Sequence, residues 1–312
     1  MLRKPVLVNC QNGNPANQNN YCGDPESWFT TEHFIAKGLN ALSFDYIVDW
    51  ENNRCQDELW VKRIICDDSN YSTLNKSEIA QKIIEVDGKA YPKRLLEFSN
   101  AHNLRLRYFL YRNIKQSDWS DLKNTIVSID FTNYSHNNCI EVFNSETIQK
   151  EINSLRRKSR KMGSKGLIYA TSTLEGYLSD KTIIWPGDVD TLLVDTENKV
   201  KAIIEFKKHT SYSKIPFDRQ KIENYRDIDV LKYRSLGLLR DKFNAPLPPL
   251  LVIIYFSTEP AEKEIIIEIL TGPYDKLSAL ERLRLPLPKQ GDINSLGIFC
   301  EQFIAAINLN GY

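Results

Sequence analysis

Three charged side chains in the second half of the sequence have the types and spacing of a metal-dependent hydrolytic site. Glu205 and Lys207 end an apolar run, and residues two apart on a strand share a face. Asp190 lies fifteen residues before Glu205, in an apolar segment expected to form a hairpin with the strand of Glu205. A carboxylate buried there needs a partner. Two carboxylates and an ammonium converging at one sheet edge would make an oxygen-rich site for Mg²⁺.

The immediate sequence context of this triplet matters, because Glu-x-Lys also occurs at 197–199. The first copy falls in a predicted hairpin tip, where charges are ordinary, whereas the second ends a strand suited to burial. Asp188 lies on the same face as Asp190. It could replace Asp190, join it, or cap the turn after Gly187, although the apolar residues around Asp190 favour Asp190.

Asp190 followed by Glu205-x-Lys207 between apolar strands resembles the motif of the PD-(D/E)xK nuclease superfamily, which has the restriction-endonuclease-like fold. The resemblance covers about a third of the chain, roughly residues 165–270. It implies an α/β (α+β) protein with an αβββαβ core in the C-terminal half. The matching segments are expected to be a helix at 167–178, strands at 182–185, 189–194 and 200–206, a helix at 218–239 and a strand at 250–256.

The resemblance also implies roles for individual residues. Asp190 and Glu205 would be catalytic and would hold Mg²⁺, with Mn²⁺ as a substitute and the backbone carbonyl of Phe206 as a further ligand. Lys207 would orient or deprotonate the attacking water and offset charge on the phosphorane. Many members add a helix-borne glutamate, for which Glu175 is the best match, although Glu175 could equally be an ordinary helix-surface acid.

Basic residues near this motif suggest a surface that follows phosphates. The chain has no acidic residue between 154 and 174, where a dense cluster of basic residues lies, and more basic residues follow the motif. A solvated helix face is the competing interpretation of the cluster. Gln220 and Tyr225 resemble a Gln…Tyr motif of the exonuclease-like branch, with a spacing one residue longer. The predicted nucleic-acid-binding residues are Arg156, Arg157, Lys158, Arg160, Lys161, Lys208, Lys214 and Gln220.

Length and composition predict a globular chain with room for one large domain or two ordinary ones. The 312 residues carry a net charge of +1, so any nucleic-acid surface must be local. We expect a mixed α/β N-terminal domain at 1–145, for target recognition, sensing or dimerisation, and the nuclease-like domain at 146–312. The sequence shows no internal repeat. The six cysteines have no metal-ligand spacing and indicate reduced thiols, and the apolar segments are too short for a membrane span or secretory signal, which predicts a cytoplasmic protein.

The predicted function is a Mg²⁺-dependent endodeoxyribonuclease of restriction or phage defence. Its partners would be DNA and a second copy of the chain, because cutting a duplex generally needs two active sites. A partner ATPase or activator is compatible with this, since the chain has no phosphate-binding glycine loop. The alternatives are a non-catalytic nucleic-acid-binding or assembly protein on a nuclease-like core, or an RNA-cleaving or DNA-repair nuclease.

Overall fold

The computed structural model describes residues 1–16, 24–67, 70–132, 139–158, 167–210, 212–225, 229–244, 247–289 and 291–308. The chain forms two compact units, each built from two segments. The first unit consists of Met1–Asn17 and Phe44–Gly187, and the second consists of Gln18–Ser43 and Asp188–Tyr312. These units do not coincide with the predicted boundary between residues 145 and 146.

Mixed α/β structure fills both units. The described helices are α1 (Glu32–Ala36), α2 (Lys76–Asp87), α3 (Ala90–Ala101), α4 (Ser145–Arg156), α5 (Thr173–Asp180), α6 (Val230–Lys242) and α7 (Ile293–Asn308). The described strands are β1 (Leu2–Arg3), β2 (Val8–Asn9), β3 (Asn40–Asp49), β4 (Arg54–Ile65), β5 (Arg105–Arg112), β6 (Ile126–Asp130), β7 (Ile140–Phe143), β8 (Tyr169–Ala170), β9 (Gly187–Val194), β10 (Val200–His209), β11 (Leu250–Ser257), β12 (Glu264–Thr271) and β13 (Ser278–Pro286). No helix in these described ranges combines the length and the apolar character of a membrane span.

In the second unit the strands follow the order β13-β12-β11-β10-β9. β9 and β10 form an antiparallel hairpin, whereas β10 and β11 are parallel and are connected through α6. All eight residues of β11 are buried, as expected for a strand with neighbours on both sides and helices over the sheet. The start of β3 also belongs to this unit, where the Ser43 hydroxyl donates to the Val189 carbonyl (3.1 Å).

An aromatic cluster closes the core of the second unit. Trp28, Phe29 and Phe34 come from the segment around α1, and they contact Phe299 and Phe303 of α7, with ring centroids 5.0–6.2 Å apart. All five rings are buried. Residues 24–43 are therefore an integral part of this unit, although they precede the rest of it by more than a hundred residues.

In the first unit the strands follow the order β3-β4-β5-β6-β7, with β1 also paired to β4. Its core includes Trp60, Tyr111 and Trp185, whose rings are all buried. Ile148 and Ile152 of α4 lie in the same core, which explains why the first unit continues beyond residue 145. Helix α5 joins this core too, through its leucines.

The two units share one order of elements, although the sequence shows no internal repeat. In each unit an antiparallel hairpin leads through helical structure to a strand parallel with the second hairpin strand. Two further antiparallel strands and a helix follow. The series is β3, β4, α2–α3, β5, β6, β7 and α4 in the first unit, and β9, β10, α6, β11, β12, β13 and α7 in the second. The repeat lies in the topology and is not visible as sequence similarity.

Several predicted elements are confirmed and others differ. Strands are present at 189–194, 200–206 and 250–256. The predicted strand at 182–185 is irregular, and the helix predicted at 167–178 begins only at Thr173, where the Ser172 side chain caps it. The segment 218–239 contains short 3-10 turns before α6 begins at Val230. The five cysteines in the described residues are free thiols, as predicted.

Candidate active site

The β9–β10 hairpin brings Asp190 and Glu205 to facing positions. Thr191 pairs with Ile204, so continuing the antiparallel ladder by one residue places Asp190 opposite Glu205. The Phe206 backbone N–H donates to Asp190 Oδ2 (2.8 Å), which fixes the aspartate against the end of the neighbouring strand. The apolar runs of both strands keep this register, because a slip by one residue would turn their buried faces outwards.

Glu205 is a buried carboxylate held mainly by lysines. It is 3% exposed, and its Oε1 lies 3.4 Å from Lys207 Nζ while its Oε2 lies 3.0 Å from Lys232 Nζ. Oε2 accepts no hydrogen bond from the described residues. A buried carboxylate oxygen in this situation is stabilised by positive charge, because nothing else in its surroundings replaces the lost water.

Lys207 points into the same cluster, as the spacing predicts. Its Nζ donates to Asp229 Oδ2 (2.8 Å) and lies over the rings of Tyr225 and Tyr233. Although burial lowers the pKa of Lys207, the carboxylates of Glu205 and Asp229 raise it above the usual value for lysine. Lys207 is thus a charged donor at neutral pH.

Lys232 is the residue that sequence analysis missed. It lies in the first turn of α6, and its Nζ contacts Asp188 Oδ1 (2.8 Å) as well as Glu205. Burial lowers its pKa, but Asp188, Glu205 and Asp190 raise it well above the ordinary value. A lysine on a helix beyond the motif carries no spacing signal. Only the packing of α6 over β9 and β10 brings it to the carboxylates.

The electrostatics of the cluster favour a cation. Burial, with the neighbouring carboxylates of Glu205 and Asp188, raises the pKa of Asp190 well above its ordinary value despite the opposing effect of Lys232. Within the described residues, no three Asp, Glu, His or Cys side chains stand in a metal-ligand arrangement. The lysine ammonium groups are the cations among these carboxylates in the structure. This cluster of carboxylates and lysines can carry charge, donate hydrogen bonds from the ammonium groups and orient a polar substrate.

Glu175 lies in a different compact unit from the other three predicted catalytic residues. Leu174 and Leu178 anchor α5 in the core of the first unit. There Glu175 Oε1 lies 3.0 Å from Lys62 Nζ and accepts a hydrogen bond from the Thr171 hydroxyl. The carboxylate is 12% exposed and is a partner in a buried ion pair, so the interpretation as an ordinary surface acid is wrong.

The basic cluster before Gly166 is smaller than its sequence suggests. Arg156 is 7% exposed and donates to the Trp185 carbonyl (2.8 Å), and burial lowers its pKa to about 10. It is therefore a packing residue and is not accessible to phosphate. Arg157 lies 3.5 Å from Asp49, and Lys158 is exposed. Arg160 and Lys161 lie outside the described residues.

The basic residues after the motif give a mixed result. Lys208 and Lys214 are exposed, as a phosphate surface requires. Gln220 is 1% exposed, donates to the Ile215 carbonyl (2.8 Å) and accepts from the Tyr225 hydroxyl, so it is not available for nucleic acid. The Gln–Tyr pair that the sequence suggested does form, but as a support for the loop before α6.

Comparison of the chain with protein-family models, with curated proteins and with solved structures finds no match.

Proposed function

We propose that the chain is a divalent-metal-dependent endodeoxyribonuclease whose active site is formed by Asp190, Glu205 and Lys207. The observation that carries this proposal is the convergence of the three side chains on the β9–β10 hairpin, with Glu205 buried between two lysines. Burying a carboxylate costs several kcal/mol unless it is compensated. A carboxylate that stays buried at this place in the hairpin therefore supports the proposal of a functional site.

The topology of the second unit supports the same proposal. Along the chain this unit contains α1, the start of β3, β9, β10, α6 and β11. This order is compatible with the helix, three strands, helix and strand order that the resemblance implies for a restriction-endonuclease-like core. In this proposal the first strand would come from 40–43, with residues 44–187 inserted before the second. The elements differ from those predicted at 167–185, and the motif would lie on the second and third strands.

The donor chemistry suits a divalent metal. Asp190, Glu205 and the carbonyl of Phe206 would supply an all-oxygen donor set, which Mg²⁺ and Mn²⁺ prefer. Lys232 Nζ lies 3.0 Å from Glu205 Oε2, so a metal bound there would take over the position of an ammonium. When bound, the metal would polarise a phosphoryl oxygen and activate a water for attack on phosphorus.

The protein's own side chains would position and neutralise the substrate. Lys207 would donate to a phosphate oxygen, or would orient or deprotonate the attacking water. Asp229 holds the Lys207 ammonium in place. The exposed Lys208 and Lys214 supply charge for the phosphate backbone, which positions a duplex without reading its sequence.

Cleavage of supercoiled plasmid in Mg²⁺ tests the proposal, with EDTA as the metal-free reaction. We expect cleavage that falls by about 100-fold or more in Lys207→Ala and in Asp190→Ala, because each removes a group that acts on the developing charge. Lys201→Ala is the matched control, since Lys201 lies on the same strand and pairs with the surface residue Asp195. It should cleave like the wild type.

Three other outcomes overturn the proposal in different ways. Cleavage that persists in both active-site variants would place the reaction elsewhere. A plasmid that shifts on a gel in Mg²⁺ and Mn²⁺ without being cut would favour the non-catalytic binding protein. Cleavage of RNA but not of DNA would change the substrate class while keeping the site.

A further inference from the structure

The hairpin that opens the first unit repeats the geometry of the hairpin with the candidate active site. In β3 and β4, Asp45 pairs with Trp60 across the antiparallel ladder. In β9 and β10, Asp190 comes opposite Glu205 one residue beyond the last ladder pair, Thr191 with Ile204. Fifteen residues separate the members of each pair along the chain. Trp60 therefore occupies the position in the first unit that Glu205 occupies in the second.

The lysine of each hairpin, and the residue that pairs with it on the neighbouring parallel strand, also lie at corresponding positions in the two units. Lys62 and Lys207 each follow the paired position by two residues, so they lie on the same face as that position. In the parallel ladders, Lys62 pairs with Phe109 of β5 and Lys207 pairs with Tyr255 of β11. An aromatic residue thus lies beside each lysine at the equivalent register.

Two further features also correspond between the two units: a buried acid on an outer strand and an asparagine in the hairpin turn. One strand further out, Asp130 of β6 and Glu268 of β12 are buried acids at the same register position. In the hairpin turns, Asn53 and Asn198 both have left-handed backbones, with φ of 49° and 63°. This conformation suits asparagine better than most residues. The correspondence therefore covers the turns, the hairpins and the outer strands.

The two hairpins differ in the side chain at the central position. Trp60 is fully buried, with its ring centroid 4.2 Å from that of Phe109, and its indole N–H donates to Glu58 Oε2 (2.6 Å). Where Glu205 offers two oxygens, Trp60 offers an apolar ring and a donor. An indole has no lone pair for a metal, so the first unit lacks one of the two carboxylates of the donor set.

An ammonium occupies the remaining polar space in the first unit. Lys62 Nζ lies 3.3 Å from Asp45 Oδ2 and 3.0 Å from Glu175 Oε1, and it donates to the Thr171 hydroxyl (2.8 Å). Asp45 Oδ2 also accepts from the Trp185 indole N–H (2.7 Å). The Lys62 side chain is only 10% exposed. Both acids thus have the same ammonium within 3.3 Å, and each also accepts a hydrogen bond from a neutral donor.

We infer that the first unit is a metal-free counterpart of the candidate active site, in which the Lys62 ammonium takes the place of a divalent cation. Each chain then has one hydrolytic centre, in its second unit. This inference rests on the proposed function. It gives a physical reason for two chains to act together on a duplex, because a single centre breaks one strand per event.

Counting bound Mn²⁺ by electron paramagnetic resonance, in the full chain, tests the inference without relying on activity. We expect the wild type to bind Mn²⁺ and the Glu205→Gln variant to lose all of it, while Asp45→Asn keeps it. The Gln and Asn side chains preserve shape while removing the charge. Circular dichroism of each variant checks that it is folded, and the Glu205→Gln result stands even where Asp45→Asn is unstable.

The outcomes separate the inference from the proposed function. Mn²⁺ that remains bound in Glu205→Gln and disappears in Asp45→Asn would place a metal in the first unit and overturn the inference alone. A wild-type chain that binds no Mn²⁺ at millimolar concentration would instead contradict the proposed function.

Discussion

At equivalent positions of the two units, Trp60 faces Asp45 and Glu205 faces Asp190. In the first unit a single lysine lies between two acids, and an indole N–H and a hydroxyl supply further hydrogen bonds. In the second unit two lysines lie among four acids, Asp188, Asp190, Glu205 and Asp229, so the ratio of acids to lysines is the same but the cluster is larger. The comparison teaches that one strand scheme can end in a small ion-pair cluster beside an apolar ring or in a larger cluster with a carboxylate at that position.

Replacing Lys62 should have the largest effect on the stability of the chain. Lys62→Met leaves the buried carboxylates of Asp45 and Glu175 without their ammonium, and breaking a buried ion pair costs about 3 kcal/mol or more. Urea unfolding measures the change. Lys123→Met, at an exposed lysine of the same unit, should stay within about 0.5 kcal/mol of the wild type.

Lys62→Met should leave Mn²⁺ binding at the Asp190 and Glu205 cluster of the second unit unchanged. An unfolding midpoint equal to that of the wild type would show that the ammonium does not hold the first-unit cluster together. The proposed difference between the two units would then lose its basis.

Replacing Lys232 should have a smaller effect with a different readout. Lys232→Met removes a cation from between Asp188 and Glu205, so a metal entering that space no longer competes with an ammonium. We expect Mn²⁺ to bind about 10-fold more tightly, which corresponds to roughly 1.4 kcal/mol. Calorimetric titration of the full chain measures this affinity.

Lys242→Met, at the end of the same helix, is the matched control for this variant and should bind Mn²⁺ like the wild type. Weaker binding in Lys232→Met would indicate that the lysine supports the metal site. It would contradict the idea that Lys232 occupies the place of the cation.

The smallest predicted effect concerns Glu268, the buried acid of β12 that corresponds to Asp130 of β6. Burial raises the pKa of Glu268 above its usual value. Its contribution to stability is therefore fully present below the unfolded pKa, about 4.3, and is lost as the pH rises through the higher folded pKa. Glu268→Gln removes this loss, so the stability of the variant relative to the wild type should rise as the pH rises above the unfolded pKa of about 4.3.

The free energies of unfolding of Glu268→Gln and of the wild type, measured at several pH values above about 4.3, test this prediction. Glu264→Gln, at the exposed start of the same strand, should show no such trend. A difference between Glu268→Gln and wild type that is constant with pH would indicate that the carboxyl keeps an ordinary pKa in the folded chain.

The candidate site was largely predictable because its signal is local. The apolar runs around Asp190 and Glu205 determine the hairpin and its register, and the period of two places Lys207 beside them. The roles of Lys232 and Glu175 were not predictable in this way. Each lies on a helix whose apolar residues decide where it packs, and that choice depends on tertiary contacts between distant segments.

The division into units was hidden for the same reason. The local sequence around Trp28 and Phe29 does not predict that they pack against strands more than 150 residues away. Arg156 shows the converse, since a residue in a basic run was expected at the surface and is buried against the Trp185 carbonyl. Charge patterns predict exposure only where no buried acceptor is within reach.

The aromatic cluster around α1 has a consequence for synthesis on the ribosome. Trp28, Phe29 and Phe34 leave the ribosome about 270 residues before their partners Phe299 and Phe303. At 5–20 residues per second, the wait lasts roughly 10–50 s. During that time the segment is an apolar stretch without its final neighbours, which is the kind of surface that chaperones bind. Completion of the second unit is thus delayed until α7 has been made.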